Sequence, residues 1–146
     1  MENKGFVEQL TVFLENRIGT LQEVTSALGE ANINIFSISL ADTSEYGLLR
    51  MIVGEPARAR QVLHDMGFAA RLTNVVAVKL SNQVGTLAKL LNDIAEESIG
   101  IEYMYAMATS SDGAMILKTS DGEAAVKLLL SKKYDLMEEK TLFELK

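Results

Sequence analysis

The side chains best suited to hold a ligand lie in one short segment, and that segment occurs twice. Asn16, Gly19 and Thr20 recur as Asn82, Gly85 and Thr86, each 66 positions further on. An Asn amide both donates and accepts hydrogen bonds, and a Gly removes the Cβ that would keep a ligand away from the main chain. If a helix starts at the Thr, its first N–H groups are unpaired and carry partial positive charge, which suits a carboxylate. Asn34 offers a second amide, so the set fits a zwitterion with both an ammonium and a carboxylate group. Each residue also has a plainer reading. The glycines can serve as turn residues with positive φ, the Asn side chains can bond their own loop, and the Thr residues can cap a helix. Arg17 can attract an anion or stand solvated, and Gln83 replaces it in the second copy.

Reactive chemistry has little to work with. The chain contains no Cys and a single histidine, His64. His64 falls off the apolar stripe of its segment and reads as a surface or interface residue, so no Ser/His/Asp set is supported. Asp42, Glu45 and Asp112 occupy turn segments where carboxylates are ordinary, and no His/Asp/Glu cluster has metal-ligand spacing. We expect a protein that is not an enzyme and uses no metal or cofactor.

The elements that must position these residues follow from periodicity. Leu10, Val12 and Leu14 alternate with Thr11 and Phe13, as in a strand, and residues 15–19 read as a loop. Thr20 followed by Glu23 fits a capping box and starts a helix with an apolar face of Leu21, Val24, Leu28 and Ala31. Residues 33–40 and 48–53 read as the next two strands. Pro56 opens a second helix with a stripe of Ala59, Val62, Leu63 and Met66, and residues 70–73 form a short last strand. The same series returns as residues 76–80, a helix carrying Leu87, Leu90, Leu91 and Ile94, strands at 99–107 and 114–117, a helix carrying Ala125, Val126, Leu128 and Leu129, and a strand at 141–145. The Met-rich strand Tyr103-Met104-Tyr105-Ala106-Met107 reads as a packed sheet surface.

The order βαββαβ, twice, predicts an α+β fold of two tandem ferredoxin-like units, residues 1–74 and 75–146, each an antiparallel sheet with helices on one face. The repeat runs without a gap: Glu30, Ile33 and Ile35 match Glu96, Ile99 and Ile101, and Ala59 and Leu63 match Ala125 and Leu129. Such a repeat indicates duplication of one fold unit. Units of about 70 residues sit near the lower limit for an independent core, so pairing is expected. Residues 33–40 carry no charge and no Pro, so this edge strand invites edge-to-edge pairing of units. The net charge of −6 argues against nucleic acid. No signal-type run opens the chain and no segment approaches membrane-spanning length, so a cytoplasmic location is expected.

Leu14-Glu15-Asn16-Arg17-Ile18-Gly19-Thr20-Leu21, followed by Ala31-Asn32-Ile33-Asn34-Ile35, resembles the signature of ACT domains, regulatory modules of amino-acid metabolism. The resemblance covers nearly the whole chain as two copies, and the first copy also resembles the ACT region of acetolactate synthase small subunits. It implies an amino acid bound where two paired units meet, with contacts from the strand–helix loop of one and the start of the second strand of the other. The implied positions are Asn16, Arg17, Ile18, Gly19, Thr20, Leu21 and Asn34. In the second copy they are Asn82, Gln83, Val84, Gly85, Thr86 and Leu87, with Gly100 in place of Asn34, so a site relying on Gly100 is expected to be weaker. The expected function is a homodimeric amino-acid sensor acting in trans. The alternative is a regulatory small subunit bound to the catalytic subunit of an enzyme such as acetolactate synthase.

Overall fold

A computed structural model describes residues 5–15, 17–42, 45–109 and 113–139. The elements are β1 (Val7–Glu15), α1 (Thr20–Glu30), β2 (Ile35–Asp42), β3 (Tyr46–Val53), α2 (Pro56–Asp65), β4 (Ala69–Leu80), α3 (Thr86–Glu96), β5 (Ile101–Ala108), β6 (Gly113–Thr119), α4 (Gly122–Ser131) and β7 (Asp135–Leu136). This is the α+β, antiparallel, ferredoxin-like βαββαβ series expected from the repeat. Among the described residues, no helix is long and apolar enough to cross a membrane.

The chain divides into two compact units, and the first comprises residues 8–73. Its strand order is β2-β3-β1, all antiparallel. Alternation turns Leu10, Val12 and Leu14 of β1 and Leu49, Met51 and Val53 of β3 to one face. There they pack with Val24, Ala27 and Leu28 of α1 and Ala59 and Leu63 of α2. The opposite face is buried at its centre too: Gln9, Thr11 and Ile52 are all nearly inaccessible. Gln9 satisfies its amide there by donating to Thr11 Oγ1 at 3.0 Å. Strand β2 ends the strand order, with Ile38 and Leu40 about half exposed.

The second unit contains residues 74–139 together with residues 5–7. Its order is β5-β6-β4, with β7 pairing the other side of β4 at Val78↔Leu136 and Lys79↔Asp135. Phe6 packs on the core formed by Val76, Val78, Leu90, Ile94, Leu117 and Leu129. A Cβ on Gly122 would stand 2.9 Å from the Phe6 ring, so that helix start is cut to fit it. The boundary between units falls inside one continuous strand, β4, between Thr73 and Asn74.

Several expectations need correction. Among the described residues a short strand, Asp135–Leu136, also pairs with β4, and the expected strand at 141–145 lies outside the described residues. The repeat itself pointed to β7, because residues 70–73 map onto 136–139. Both second strands start two residues later than expected and carry a bulge, between Ile35 and Ser37 and between Ile101 and Tyr103. The late start has another cause: the Ile33 and Ile99 N–H groups bond back to the Leu28 and Ile94 carbonyls and so belong to the helix exits. Met66 is half exposed because α2 ends at Asp65, before Met66 returns to the buried face. Leu87 is also exposed, in the first turn of α3, and Asp93 takes up a buried position on that helix.

Candidate functional site

Each strand–helix loop ends on a glycine held in the left-handed region, Gly19 at φ 97° and Gly85 at φ 92°, which serve as the N-caps of α1 and α3. An L side chain there costs about 1–2 kcal/mol, so the backbone itself calls for glycine. Nothing lies within 4 Å of where a Cβ would stand on either residue. Turn geometry and open approach therefore hold together at both positions. The tips, Ile18 and Val84, are fully exposed. Asn16 lies outside the described residues, while Asn82 is exposed.

The capping box does not form. Gly19 and Gly85 make no side-chain cap, and Thr20 and Thr86 already belong to the first turn. Their hydroxyls donate backwards into the loop, Thr20 to the carbonyls of Glu15 and Arg17 at 3.4 and 3.3 Å, Thr86 to those of Ser81 and Gln83 at 3.0 Å each. Glu23, the expected box partner, is taken by Arg17. Both guanidinium Nη atoms donate to its carboxylate oxygens at 3.1 Å, with Glu15 3.8 Å from Arg17 Nε. This fork holds the Glu23 carboxyl below its ordinary value and raises Arg17. Arg17 is thus clasped to its own helix rather than simply solvated. The signal was the Arg17–Glu23 pair itself, which the second copy replaces with Gln83 and Lys89.

The first loop borders a cavity of about 410 Å³ lined by Phe13, Glu15, Arg17, Thr20, Glu23, Glu45, Tyr46 and Phe68, among others. Phe13 and Tyr46 pack with ring centroids 6.0 Å apart. Asn34 lines a separate hollow of about 370 Å³ with Gly29, Asn32, Gly54 and Glu55, so its own unit does not bring it to the Arg17 loop.

In the second unit Gly100 lacks the Asn34 amide, but the strand facing it has changed as well. Ser120 stands where the first copy has Gly54. Its Oγ accepts from the Gly100 N–H at 2.9 Å, and its own N–H donates to the Gly100 carbonyl at 2.8 Å. A polar side chain has moved across the strand pair, which a comparison of position 34 with position 100 alone misses. The second loop borders a hollow of about 450 Å³ that includes Asn82 and Thr86 and, among the described residues, has no charged one in its lining.

A polar cluster found only in the second unit supports the same helix. Tyr134 donates to Asp93 Oδ2 at 2.7 Å, and Lys89 donates to Asp93 at 3.0 Å and to the Tyr134 hydroxyl at 3.3 Å. The Tyr134 hydrogen bond, then that of Lys89, holds the Asp93 carboxyl below its ordinary value; burial raises Tyr134. The counterparts are Ala27, Glu23 and Phe68, so periodicity could not reveal the cluster. His64 is exposed, and among the described residues no group of His, Cys, Asp and Glu is arranged to hold a metal ion.

No curated protein matches this chain. Among solved structures, a protein of Bacteroides thetaiotaomicron is 36% identical, with 97% of this chain and 98% of that chain covered and a TM-score of 0.90. The regulatory subunit of aspartate kinase from Thermus thermophilus, in its ligand-free form, is 19% identical, with coverage of 90% and 95% and a TM-score of 0.62. Its counterpart from Thermus flavus is 20% identical, with coverage of 90% and 98% and a TM-score of 0.55. At these identities the Thermus proteins share the fold. The sequence profile of the ACT domain pair matches residues 6–146, and the chain belongs to that family.

Proposed function

We propose that this is a non-catalytic regulatory protein that binds a free amino acid where ACT units pair, and that its level is thereby signalled to amino-acid metabolism. The observation that carries the reading is the pair of left-handed glycines, each at the start of a helix and each with open space where a Cβ would stand. Unpaired helix N–H groups reached past a glycine suit a carboxylate. The binding positions proposed are Asn16, Arg17, Ile18, Gly19, Thr20, Leu21 and Asn34 of the first copy and Asn82, Val84, Gly85, Thr86 and Leu87 of the second. In the first copy Arg17 shapes the loop through Glu23. The exposed edge strand β2, uncharged from Ile35 to Ala41 and carrying Ile38 and Leu40, supports pairing in a homodimer. Ligand favours the paired arrangement to the extent that it binds that arrangement better.

Thermal unfolding in the presence of each common amino acid tests the reading. A ligand at a hundredfold excess over its Kd adds about 2.7 kcal/mol, so at least one amino acid should raise the midpoint clearly. Asn16→Ala should reduce that rise and leave the ligand-free midpoint in place. If none of them moves the midpoint, the sensor reading fails.

A second reading, a regulatory subunit that acts on the catalytic subunit of a biosynthetic enzyme, is favoured by the fold shared with the Thermus aspartate kinase regulatory subunits. Acetolactate synthase is a further candidate enzyme. Capture of the tagged protein decides between the readings: recovery of a catalytic subunit supports the second, and recovery of the protein alone supports the first.

A further inference from the structure

The second unit carries a smaller side chain than the first at one position beside its strand–helix loop. Ala106 on β5 is the counterpart of Leu40 on β2, and the two occupy the same register, Ala106 opposite Met115 and Leu40 opposite Leu49. In the first unit the Leu40 side chain reaches over Gly47, where a Cβ would meet Leu40 Cδ1 at 3.4 Å. At the counterpart, Gly113, such a Cβ would find only the Met107 carbonyl oxygen, at 3.9 Å. The methyl group of Ala106 does not reach across. The resulting hollow of about 450 Å³ lies between the end of β4, the end of β5, the start of β6 and the start of α3. That size falls within the range of small-molecule sites.

The lining has two ends. Leu80, Ala106, Ala114 and Met115 supply apolar surface, while Asn82 and Thr86 stand at the loop. The Thr86 hydroxyl is committed to two loop carbonyls and can only accept, whereas the Asn82 amide can donate and accept. Among the described residues no charged one lines the hollow, and its apolar walls offer a charged side chain no partner. The charged cavity at the first loop lies on another side of that loop, toward Tyr46 and Phe68.

We infer that the hollow of the second unit takes the side chain of a free amino acid that is uncharged and aliphatic or thioether in character, with the Asn82 loop meeting the polar end. This rests on the amino-acid reading above and adds which amino acids bind and where. The Met115 thioether adapts to branched or linear chains, so the site selects by polarity more than by shape.

Calorimetric titration of the full chain with leucine, valine and methionine, and with lysine, arginine, aspartate and glutamate, tests it alongside Ala106→Leu and Asn82→Ala. Ala106→Leu installs the residue the first unit already carries at the matching position, and unfolding curves verify that each variant folds. The apolar group should bind, the charged group should bind about tenfold more weakly or not at all, and each variant should lose about tenfold or more in affinity for the apolar group. Tighter binding of a charged amino acid overturns the selectivity and leaves the sensor reading standing. Apolar binding that both variants leave unchanged overturns the location alone. Absence of binding by every amino acid overturns both.

Discussion

Gly19, Gly85 and Gly5 all have positive φ, but their surroundings differ, and so should the cost of replacing them. A Cβ on Gly19 or Gly85 meets open space, whereas one on Gly5 would stand 2.6 Å from Val126 Cγ1. Gly19→Ala and Gly85→Ala should each cost about 1–2 kcal/mol from backbone strain. Gly5→Ala should add about 1–3 kcal/mol of overpacking to that strain. Urea denaturation of the three variants measures this, and equal costs would contradict the packing of residues 5–7 on the second unit. Thr119 is the buried counterpart of Val53, and its hydroxyl has no hydrogen-bond partner among the described residues. Thr119→Val should therefore stabilise by about 1 kcal/mol, because it removes an unsatisfied polar group without changing the shape.

Asp93 gives a pH signature. Its folded-state pKa is depressed by Tyr134 and Lys89, so its contribution is complete above the ordinary value of 3.8 and is lost as pH falls through the lower folded value. Asp93→Asn should be less stable than the natural chain at neutral pH, and the gap should close as the solution is acidified below that ordinary value. A gap that persists down to about pH 2 would contradict the cluster. None of this is visible in periodicity: Asp93 sits on the apolar stripe of α3 as an apparent error until Tyr134, 41 residues later, supplies its partner.

At the scale of elements, the strands and helices were legible because the apolar spacing alternates where chains pair and recurs every three or four residues where helices pack. The starts of α1 and α2 at Thr20 and Pro56 were legible too; the far ends were less so. All four helices finish in the same way, with a left-handed residue at Asn32, Gly67, Ser98 or Lys133. The N–H of the next residue then reaches back to the carbonyl of Leu28, Leu63, Ile94 or Leu129. Asn32 and Gly67 are the usual punctuation, whereas Ser98 and Lys133 are not, so the ends of α3 and α4 were the harder ones to read. Lys133→Gly should relieve the strain at its position and stabilise by up to about 1 kcal/mol in urea denaturation; a loss of stability would contradict the left-handed assignment. The loops were legible in residue type but not in wiring. The Arg17–Glu23 fork and the Ser120–Gly100 pair both arise from side chains that a pattern of apolar positions treats as interchangeable surface.

At the scale of the whole molecule, duplication has kept the fold and let the two loops diverge. Both units retain the left-handed glycine, the backward-donating Thr and the bulged second strand. The second unit carries Ala106 where the first carries Leu40, beside a hollow with no charged residue among its described lining. The sequence showed that the copies differ, and the loss of the Asn34 amide pointed to a weaker second site. The geometry adds the Ser120 hydroxyl beside Gly100 and, at the other end of β5, the hollow. The central claim is that one duplicated chain binds an amino acid in two unequal ways. Isothermal titration of the intact protein with leucine tests it most directly. One saturable equivalent per chain, tighter than about millimolar, is expected, with any second equivalent clearly weaker. Two equal equivalents per chain, or no saturable heat with leucine, valine or methionine, would contradict it.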